Sequence, residues 1–236
     1  MKTARNFGKY WLYVPLAAMA VFYLLPMYVM LVTGFKGFEE IDLKTMWSLP
    51  RGLALDNYIE AYNKLSPYLW NSFKMVIPAT LLSSMLGSLN GFILAKWKFR
   101  GADVIFPLIL FGMFIPYQSI LIPLVQFMNA VGVKGLLGLA MAHIIYGIPI
   151  TTLTFRNYYA SLPQELLEAA KMDGADMLGI YRYILLPISI PSFVVVLIWQ
   201  FTSAWNDFLF AVVLTGNEQW PITVALNNMA GSQIIA

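Results

Sequence analysis

The residues best suited to chemistry are a few polar side chains that stand within otherwise apolar stretches. Trp205, Asn206 and Asp207 lie together near the end of one such stretch. An aromatic face beside amide and carboxylate groups can hold the C–H face and the hydroxyls of a sugar. Polar residues at membrane depth are costly and therefore indicate function. The same three residues could instead anchor the chain at a membrane surface, where tryptophan is enriched.

Weaker candidates of the same kind are Gln118, which follows Tyr117, and Gln200. Tyr117 and Gln118 follow Pro116, so they could equally satisfy backbone groups that a helix break leaves free. His143 is the only histidine, and the chain has no cysteine. A lone histidine makes no metal site, and this one has no evident acid–base partner. We therefore expect His143 to be packed and hydrogen-bonded, and we predict neither a catalytic residue nor a metal site.

The composition indicates that these residues lie in a membrane. The chain is 59% hydrophobic and 11% charged, whereas a soluble domain is about a quarter charged. Spanning helices need roughly 20 apolar residues. The uncharged windows of sufficient length are Tyr10–Phe35, Met75–Ala95, Val104–Val133, Gly135–Phe155 and Tyr183–Asn206. The predicted fold class is an all-α integral membrane protein, a polytopic helix bundle.

The basic residues predict the orientation of the spans, because cytoplasmic segments carry an excess of lysine and arginine. A cytoplasmic N-terminus would place nine of them inside and six outside. The inside set is Lys2, Arg5, Lys9, Lys96, Lys98, Arg100, Arg156, Lys171 and Arg182, and the outside set is Lys36, Lys44, Arg51, Lys64, Lys74 and Lys134. This orientation places the polar segment around Glu165–Pro187 in the cytoplasm.

That segment predicts two short helices joined at an angle. Ser161 and Gln164 have capping-box spacing, with Pro163 in the first turn. The first helix would run to about Met172, and Gly174 suits a left-handed stop. Asp176 could cap a second helix through Ile184, which Pro187 would end. Small alanines on one face and Glu168 beside them could fit a groove on another protein, although the segment could also be a simple connecting turn.

Several stretches resemble one family of transport proteins. The spacing Glu168-Ala169-Ala170, three residues, Gly174, nine residues, Ile184-x-Leu186-Pro187 resembles the EAA loop of binding-protein-dependent ABC importer permeases. "NSFKMVIPATLLSSMLGSLNGFILAKWKFRG" is similar to the opening of that family's transmembrane core. "FIPYQSILIPL" and "SAWNDF" resemble its sugar-importing branch, specifically the maltose-permease G-type subunits.

The resemblance implies a type I ABC importer fold and a role for the EAA loop as the coupling helix that docks on an ATP-binding subunit. Glu168 would be the charged anchor and Gly174 would set the bend. The implied contact residues are Glu165, Glu168, Ala169, Ala170, Met172, Asp173, Gly174 and Ala175. The polar candidates above form the predicted substrate path, which comprises Tyr117, Gln118, Gln200, Trp205, Asn206 and Asp207.

The resemblance also implies the partners. These are a homologous second permease subunit, a dimer of ATP-binding subunits and an extracytoplasmic sugar-binding protein, in the inner membrane of a bacterium or archaeon.

No basic face for nucleic acid is present in the sequence. The chain has no G-x-x-x-x-G-K-[ST] motif, so it cannot cradle ATP phosphates by that route. We therefore expect no cofactor in this chain, no catalysis by it, and ATP and Mg bound by the partner subunits.

The predicted organisation has an N-terminal tail, one separate span and a permease core. Residues 1–9 form a cytoplasmic tail, 10–35 the first span, 36–67 an external loop and 68–236 the core. Spans within the core cover about 68–95, 104–128, 135–155 and 184–214, and the coupling loop covers 161–187. We expect residues from Thr215 onwards to form an external polar loop. Five spans are then visible, and the family's sixth is expected but absent from this chain.

Two other functions are weighed against sugar import. A permease of the same superfamily could carry phosphate, an amino acid or another non-sugar solute, because the EAA loop does not distinguish them. An integral-membrane enzyme would need ionisable residues clustered at one membrane depth. The spans offer only His143 and Asp207, which lie on different predicted helices.

Overall fold

A computed structural model describes residues 4–97 and 99–235, with side chains for residues 11, 13–97 and 99–230. All regular secondary structure in these residues is helical, which confirms the predicted all-α class. The chain divides into two compact units, residues 1–66 and residues 67–236. Of the predicted tail, residues 1–3 lie outside the described part, and helix α1 already begins at Ala4.

The first unit contains α1 (Ala4–Gly34) and a hydrogen-bonded segment after it. Pro15 and Pro26 lie inside α1. In the following segment Lys36 is buried, and its Nζ donates to the Thr45 carbonyl at 2.6 Å. Asn57 Nδ2 donates to the Lys36 carbonyl at 2.8 Å. These bonds organise a segment that the sequence predicts only as an external loop.

Helix α2 (Asp56–Lys96) contains the boundary between the two units. Its 41 residues correspond to about 60 Å at 1.5 Å per residue, twice the roughly 30 Å thickness of a hydrocarbon core. The helix therefore extends beyond any single crossing. Residues 56–67, which we assign to the external loop from sequence, are helical.

The stretch predicted as one span over 104–128 is broken. Helix α3 (Ala102–Phe111) and its 3₁₀ extension to Phe114 meet the stretch Tyr117–Ala130, which includes α4 (Leu121–Ala130), at 92°. Ile115 has an extended ψ of 116°, and Pro116 follows it with ψ of 123°. Because proline disfavours helical geometry in the residue before it, the helix ends here and turns.

Helix α5 (Gly135–Ala160) is continuous and covers the predicted span 135–155. The stretch predicted as one span over 184–214 is divided by a 76° bend after Ile188 and continues as α9 (Ile190–Trp205) and the separate short α10 (Leu209–Leu214). The prediction of a polar loop after Thr215 is wrong from Ile222, because α11 covers Ile222–Ile235. Within the described residues, three helices could each cross a membrane, or up to five if each bent pair counts as one span.

Glycines allow α2 and α5 to approach almost to backbone contact. A Cβ on Gly87 would collide with the Thr151 hydroxyl and would lie 2.8 Å from the Thr151 carbonyl carbon. A Cβ on Gly91 would lie 2.7 Å from the Arg156 nitrogen. The hydroxyl of Thr151 donates to the Ser83 carbonyl at 3.0 Å across the same contact. Small residues of this kind let membrane helices pack closely.

Two apolar clusters lie along these helices. One is centred on Met75, Leu139 and Phe210 and joins α2, α5 and the region of α10. The other gathers Phe92 of α2 and Phe155 of α5 around residues of the polar segment. The second cluster therefore fixes that segment to the bundle.

Candidate functional site

We call residues 161–187 the elbow. It consists of α6 (Gln164–Met172), α7 (Met177–Ile180), a π-helical turn (Tyr181–Leu185) and the start of α8 (Leu186–Ile188). The predicted second helix through Ile184 is thus α-helical for one turn and then widens. After α8 the chain bends by 76° at Ser189 into α9.

The bend between α6 and α7 is formed by a left-handed glycine and a helix cap. Gly174 adopts φ of +84°, the left-handed geometry predicted for it and strained for other residues. Asp176 caps α7 by accepting from the Gly179 nitrogen at 2.7 Å, as predicted. The predicted capping box is wrong, because Ser161 Oγ donates back to the Tyr158 carbonyl at 2.7 Å and no side chain caps α6.

The inner side of the elbow is part of the second apolar cluster. Leu167, Ile180 and Leu185 are buried there beside Phe92 and Phe155. Lys96, at the end of α2, donates from Nζ to the Leu162 carbonyl at 2.6 Å. Lys171 Nζ lies 5.0 Å from the centre of the Trp97 ring. The elbow is therefore held on the end of the bundle rather than tethered by a loose loop.

The outer side presents most of the residues that the resemblance marks as contacts. Glu165, Glu168, Ala169, Met172, Asp173 and Gly174 are exposed, with Met172 at 88%, and Ala175 is half-buried. Ala170 differs, because it is only 5% exposed and packs in the second apolar cluster. The predicted partner contact of Ala170 is therefore wrong, because its methyl group packs against its own chain.

A hydroxyl network connects the elbow to the bundle. It comprises Ser88 of α2, Tyr159 of α5, Tyr181 of the π-helical turn, and Ser189 at the bend. Tyr181 donates to Ser88 at 3.0 Å, Ser88 and Tyr159 share a bond of 2.7 Å, and Tyr159 donates to Ser189 at 3.1 Å. The three bonds are buried and connect four elements, and no feature of the sequence alone indicates that these hydroxyls meet.

A polar cavity of about 290 Å³ lies among α5, α9 and their neighbours. It brings together four of the predicted path residues, Tyr117, Gln200, Asn206 and Asp207. The complete lining is Tyr117, His143, Tyr146, Gly147, Ile150, Trp199, Gln200, Ser203, Asn206, Asp207 and Phe210. Ser203 and Asn206 are exposed on α9 and its end. The cavity is therefore open on this side.

Two predicted path residues lie elsewhere. Trp205 packs against Phe73 at 5.1 Å and Phe201 at 5.4 Å between ring centroids, beside the first apolar cluster. Gln118 is exposed beyond the helix break and does not line the cavity. The indole of Trp205 therefore packs between helices and does not line the cavity.

Asp207 has a structural role beside its place in the cavity. Its carboxylate accepts from the Ala211 nitrogen at 3.1 Å and from the Phe210 nitrogen at 3.4 Å, which caps α10. Its carbonyl accepts from Thr223 Oγ1 at 3.1 Å. The break after α9 is thus stabilised by the same residue that brings a carboxylate to the cavity.

His143 is one of the lining residues that the sequence does not mark for the substrate path. The ring is packed as expected, 5.9 Å from the Phe210 ring. The expected hydrogen bond is absent from Nε2, which has no such partner among the described residues. Nε2 lies 3.4 Å from Asp207 Oδ2, but the two are not aligned for a hydrogen bond. The two ionisable residues that we place on separate helices therefore meet, and only tertiary packing reveals this.

The long apolar helices are those of a polytopic membrane protein. Residues 70–236 match the family described as "Binding-protein-dependent transport system inner membrane component". The chain therefore belongs to the family of binding-protein-dependent transport system inner membrane components, as the resemblance of the elbow indicated.

Relatives of the chain include archaeal permeases. The chain is 46% identical to a probable ABC transporter permease protein of Pyrococcus horikoshii over 95% of this chain and 82% of the relative. It is 38% identical to a xylose/arabinose import permease of Haloferax volcanii (89% and 76%). It is 32% identical to a glucose import system permease of Saccharolobus solfataricus (93% and 80%).

A solved structure shares the fold. A bacterial ABC transporter involved in the import of the acidic polysaccharide alginate matches with a TM-score of 0.81 at 21% identity, over 100% of this chain and 87% of that chain. At this identity the match supports the type I importer architecture and carries no statement about the solute.

Proposed function

We propose that this chain is the permease subunit of an ATP-driven importer that moves a sugar delivered by an extracytoplasmic solute-binding protein. The sugar permeases among its relatives support the solute class. The proposed complex contains a homologous second permease and a dimer of ATP-binding subunits. Those subunits bind ATP and Mg and hydrolyse the nucleotide, and the permease itself is not catalytic.

The observation that carries the proposal is the two-sided elbow. Its inner side is fixed in the bundle by Leu167, Ile180 and Leu185, and its outer side exposes Glu165 and Glu168. A rigid surface with free carboxylates can be gripped by a partner through arginine forks. Motion of that partner would then reach the spans without loss in a flexible loop.

The proposed location is the cell membrane of a bacterium or archaeon, with the N-terminus in the cytoplasm. The elbow then faces the cytoplasm, where the ATP-binding subunits can reach it. The basic residues of the sequence support this orientation, since they favour the side that holds the elbow.

Charge reversal at Glu168 tests the proposal. In the assembled transporter, Glu168→Arg should weaken co-purification of the ATP-binding subunits at least tenfold and abolish sugar uptake, because an arginine fork would meet a like charge. Glu39→Arg makes the same change at an exposed site in the other unit, on the side predicted to be external, and should leave co-purification unchanged. Wild-type subunit binding and uptake by the Glu168 variant would show that the elbow is not the coupling surface.

A further inference from the structure

Arg156 is a cation near the end of α5, where the helix approaches the elbow. Its guanidinium carbon lies 4.1 Å from the centre of the Phe106 ring on α3. The side chain is half-buried, so one end of it remains accessible. The ring therefore holds a positive charge in a fixed position between two apolar helices.

The guanidinium has no anionic partner within the described part of the chain. Its Nε is buried and makes no hydrogen bond there. Asp103, the acid in the first turn of α3, makes no ion pair with it, and neither does any other described carboxylate. A charge that is partly removed from water normally has a counter-ion. The missing anion must then come from outside this chain.

Other basic side chains lie at the same end of the bundle. Lys96 ends α2, and its Nζ uses one of its three donors on the Leu162 carbonyl. Arg100 lies in the turn between α2 and α3, where it is exposed and makes no ion pair among the described residues. Basic groups at the ends of membrane helices attract anionic lipid head groups.

The outer face of α3 offers an apolar surface beside this charge. No residue of α3 is buried. Val104, Leu108 and Phe111 are 61%, 65% and 64% exposed, and their spacing places them on one side of the helix. A phospholipid whose phosphate lies at Arg156 could place its acyl chains along α3. A free phosphate ion would make no use of this surface.

We propose that Arg156 binds the phosphate of an anionic phospholipid whose acyl chains cover α3. A planar guanidinium can donate two parallel hydrogen bonds to phosphate oxygens, and stacking on Phe106 orients it for them. The bound lipid would join α3 to α5 beside the elbow. The inference goes beyond solute import and requires only the membrane location that the family gives the chain.

Native mass spectrometry of the purified protein tests the site. The protein is titrated in detergent with dioleoyl phosphatidylglycerol or dioleoyl phosphatidylcholine, which share the phosphate and the acyl chains but differ in net charge. The wild type should prefer phosphatidylglycerol by about fivefold, the ratio expected for one basic residue at an anionic lipid. Arg156→Met should abolish the preference. Arg156→Lys should keep part of it, because lysine is cationic but lacks the fork of donors.

A second variant examines the stacked geometry. Phe106→Leu keeps an apolar side chain but removes the ring that orients the guanidinium, so it should reduce the preference. It also serves as the test if Arg156→Met does not fold, and an undiminished preference in Phe106→Leu would overturn the stacked site. Arg51→Met is the matched control, because Arg51 is exposed in the other unit, and it should leave the preference unchanged.

Two further outcomes would overturn the proposal. An equal preference in the wild type and in Arg156→Met would show that lipid does not bind at Arg156, as expected if a carboxylate of another subunit occupies the guanidinium. Displacement of phosphatidylglycerol by millimolar inorganic phosphate would assign the site to the free ion. Retention of the lipid in the presence of that phosphate supports the phospholipid.

Discussion

At the scale of single residues, the elbow is shaped by two positions whose chemistry is local. Gly174 supplies a left-handed backbone and Asp176 supplies a cap. Both could be predicted from the sequence, because each depends on neighbours within a few positions. The hydrogen bond of Ser161 could not be predicted. Its hydroxyl can accept from a backbone nitrogen of α6 or donate to the Tyr158 carbonyl, as it does here, and the sequence allows both.

Removal of the α7 cap gives a first prediction. Asp176→Ala should cost about 1 kcal/mol of local stability, so affinity for the ATP-binding subunits should fall by at most about fivefold. Asp176→Asn keeps an equally good cap and should bind as the wild type does. Titration of the ATP-binding subunits onto each purified permease variant measures this difference. Equal weakening in both variants would indicate a charge effect rather than capping.

At the scale of elements, the hydroxyl network and the second apolar cluster join the elbow to α2 and α5. The network lies outside what sequence can predict, because its members are 93, 71 and 30 residues apart in their three bonds. Long apolar helices could be located from apolar length, but the 92° break could not, since Pro116 allows either a kink or a sharp turn.

Loss of one network bond gives a second prediction. Tyr181→Phe removes the donor to Ser88 and should lower stability by about 1 kcal/mol, while uptake per ATP hydrolysed falls because one of the buried bonds that join the elbow to the bundle is lost. Tyr183→Phe lies on the same π-helical turn at 75% exposure and should change neither quantity. Both are measured in proteoliposomes containing the complete transporter. A purely structural role would lower stability and leave the ratio of sugar to ATP intact.

The close contact of α2 and α5 gives a third prediction. Gly87→Ala places a methyl group against Thr151, so overpacking should destabilise the subunit by about 1–3 kcal/mol. Gly37→Ala adds the same group where nothing lies within 4 Å and should leave stability unchanged. Thermal unfolding in detergent compares the two variants. An unchanged melting temperature in Gly87→Ala would show that the contact is looser than described.

At the scale of the whole molecule, the proposed function requires that the elbow and the segment after α1 lie on opposite sides of the membrane. The chain has no cysteine, so single cysteines can report the side directly. Glu39→Cys should react with a membrane-impermeant maleimide in intact cells. Met172→Cys should react only after permeabilisation, and bound ATP-binding subunits should protect it. Labelling of Met172→Cys from outside would reverse the proposed orientation.

The class and family could be predicted from composition and from the spacing of the EAA loop, because both are properties of sequence order. The cavity could be predicted only in part. Its polar residues on and after α9 are conspicuous in an apolar run, but His143 joins them through the packing of α5 on α9. Burial of Ala170 follows from the same kind of tertiary contact, which sequence periodicity over a nine-residue helix does not determine.

The glycine seam between α2 and α5 has a mechanical consequence. Where two backbones touch with no long side chains between them, little can slide or repack, and the pair behaves as a single rigid strut. Any cycle of opening and closing must then be absorbed at the joints beside it, where the chain bends at Pro116 and at Ser189. We expect those joints at Pro116 and Ser189, rather than the strut, to carry the displacement.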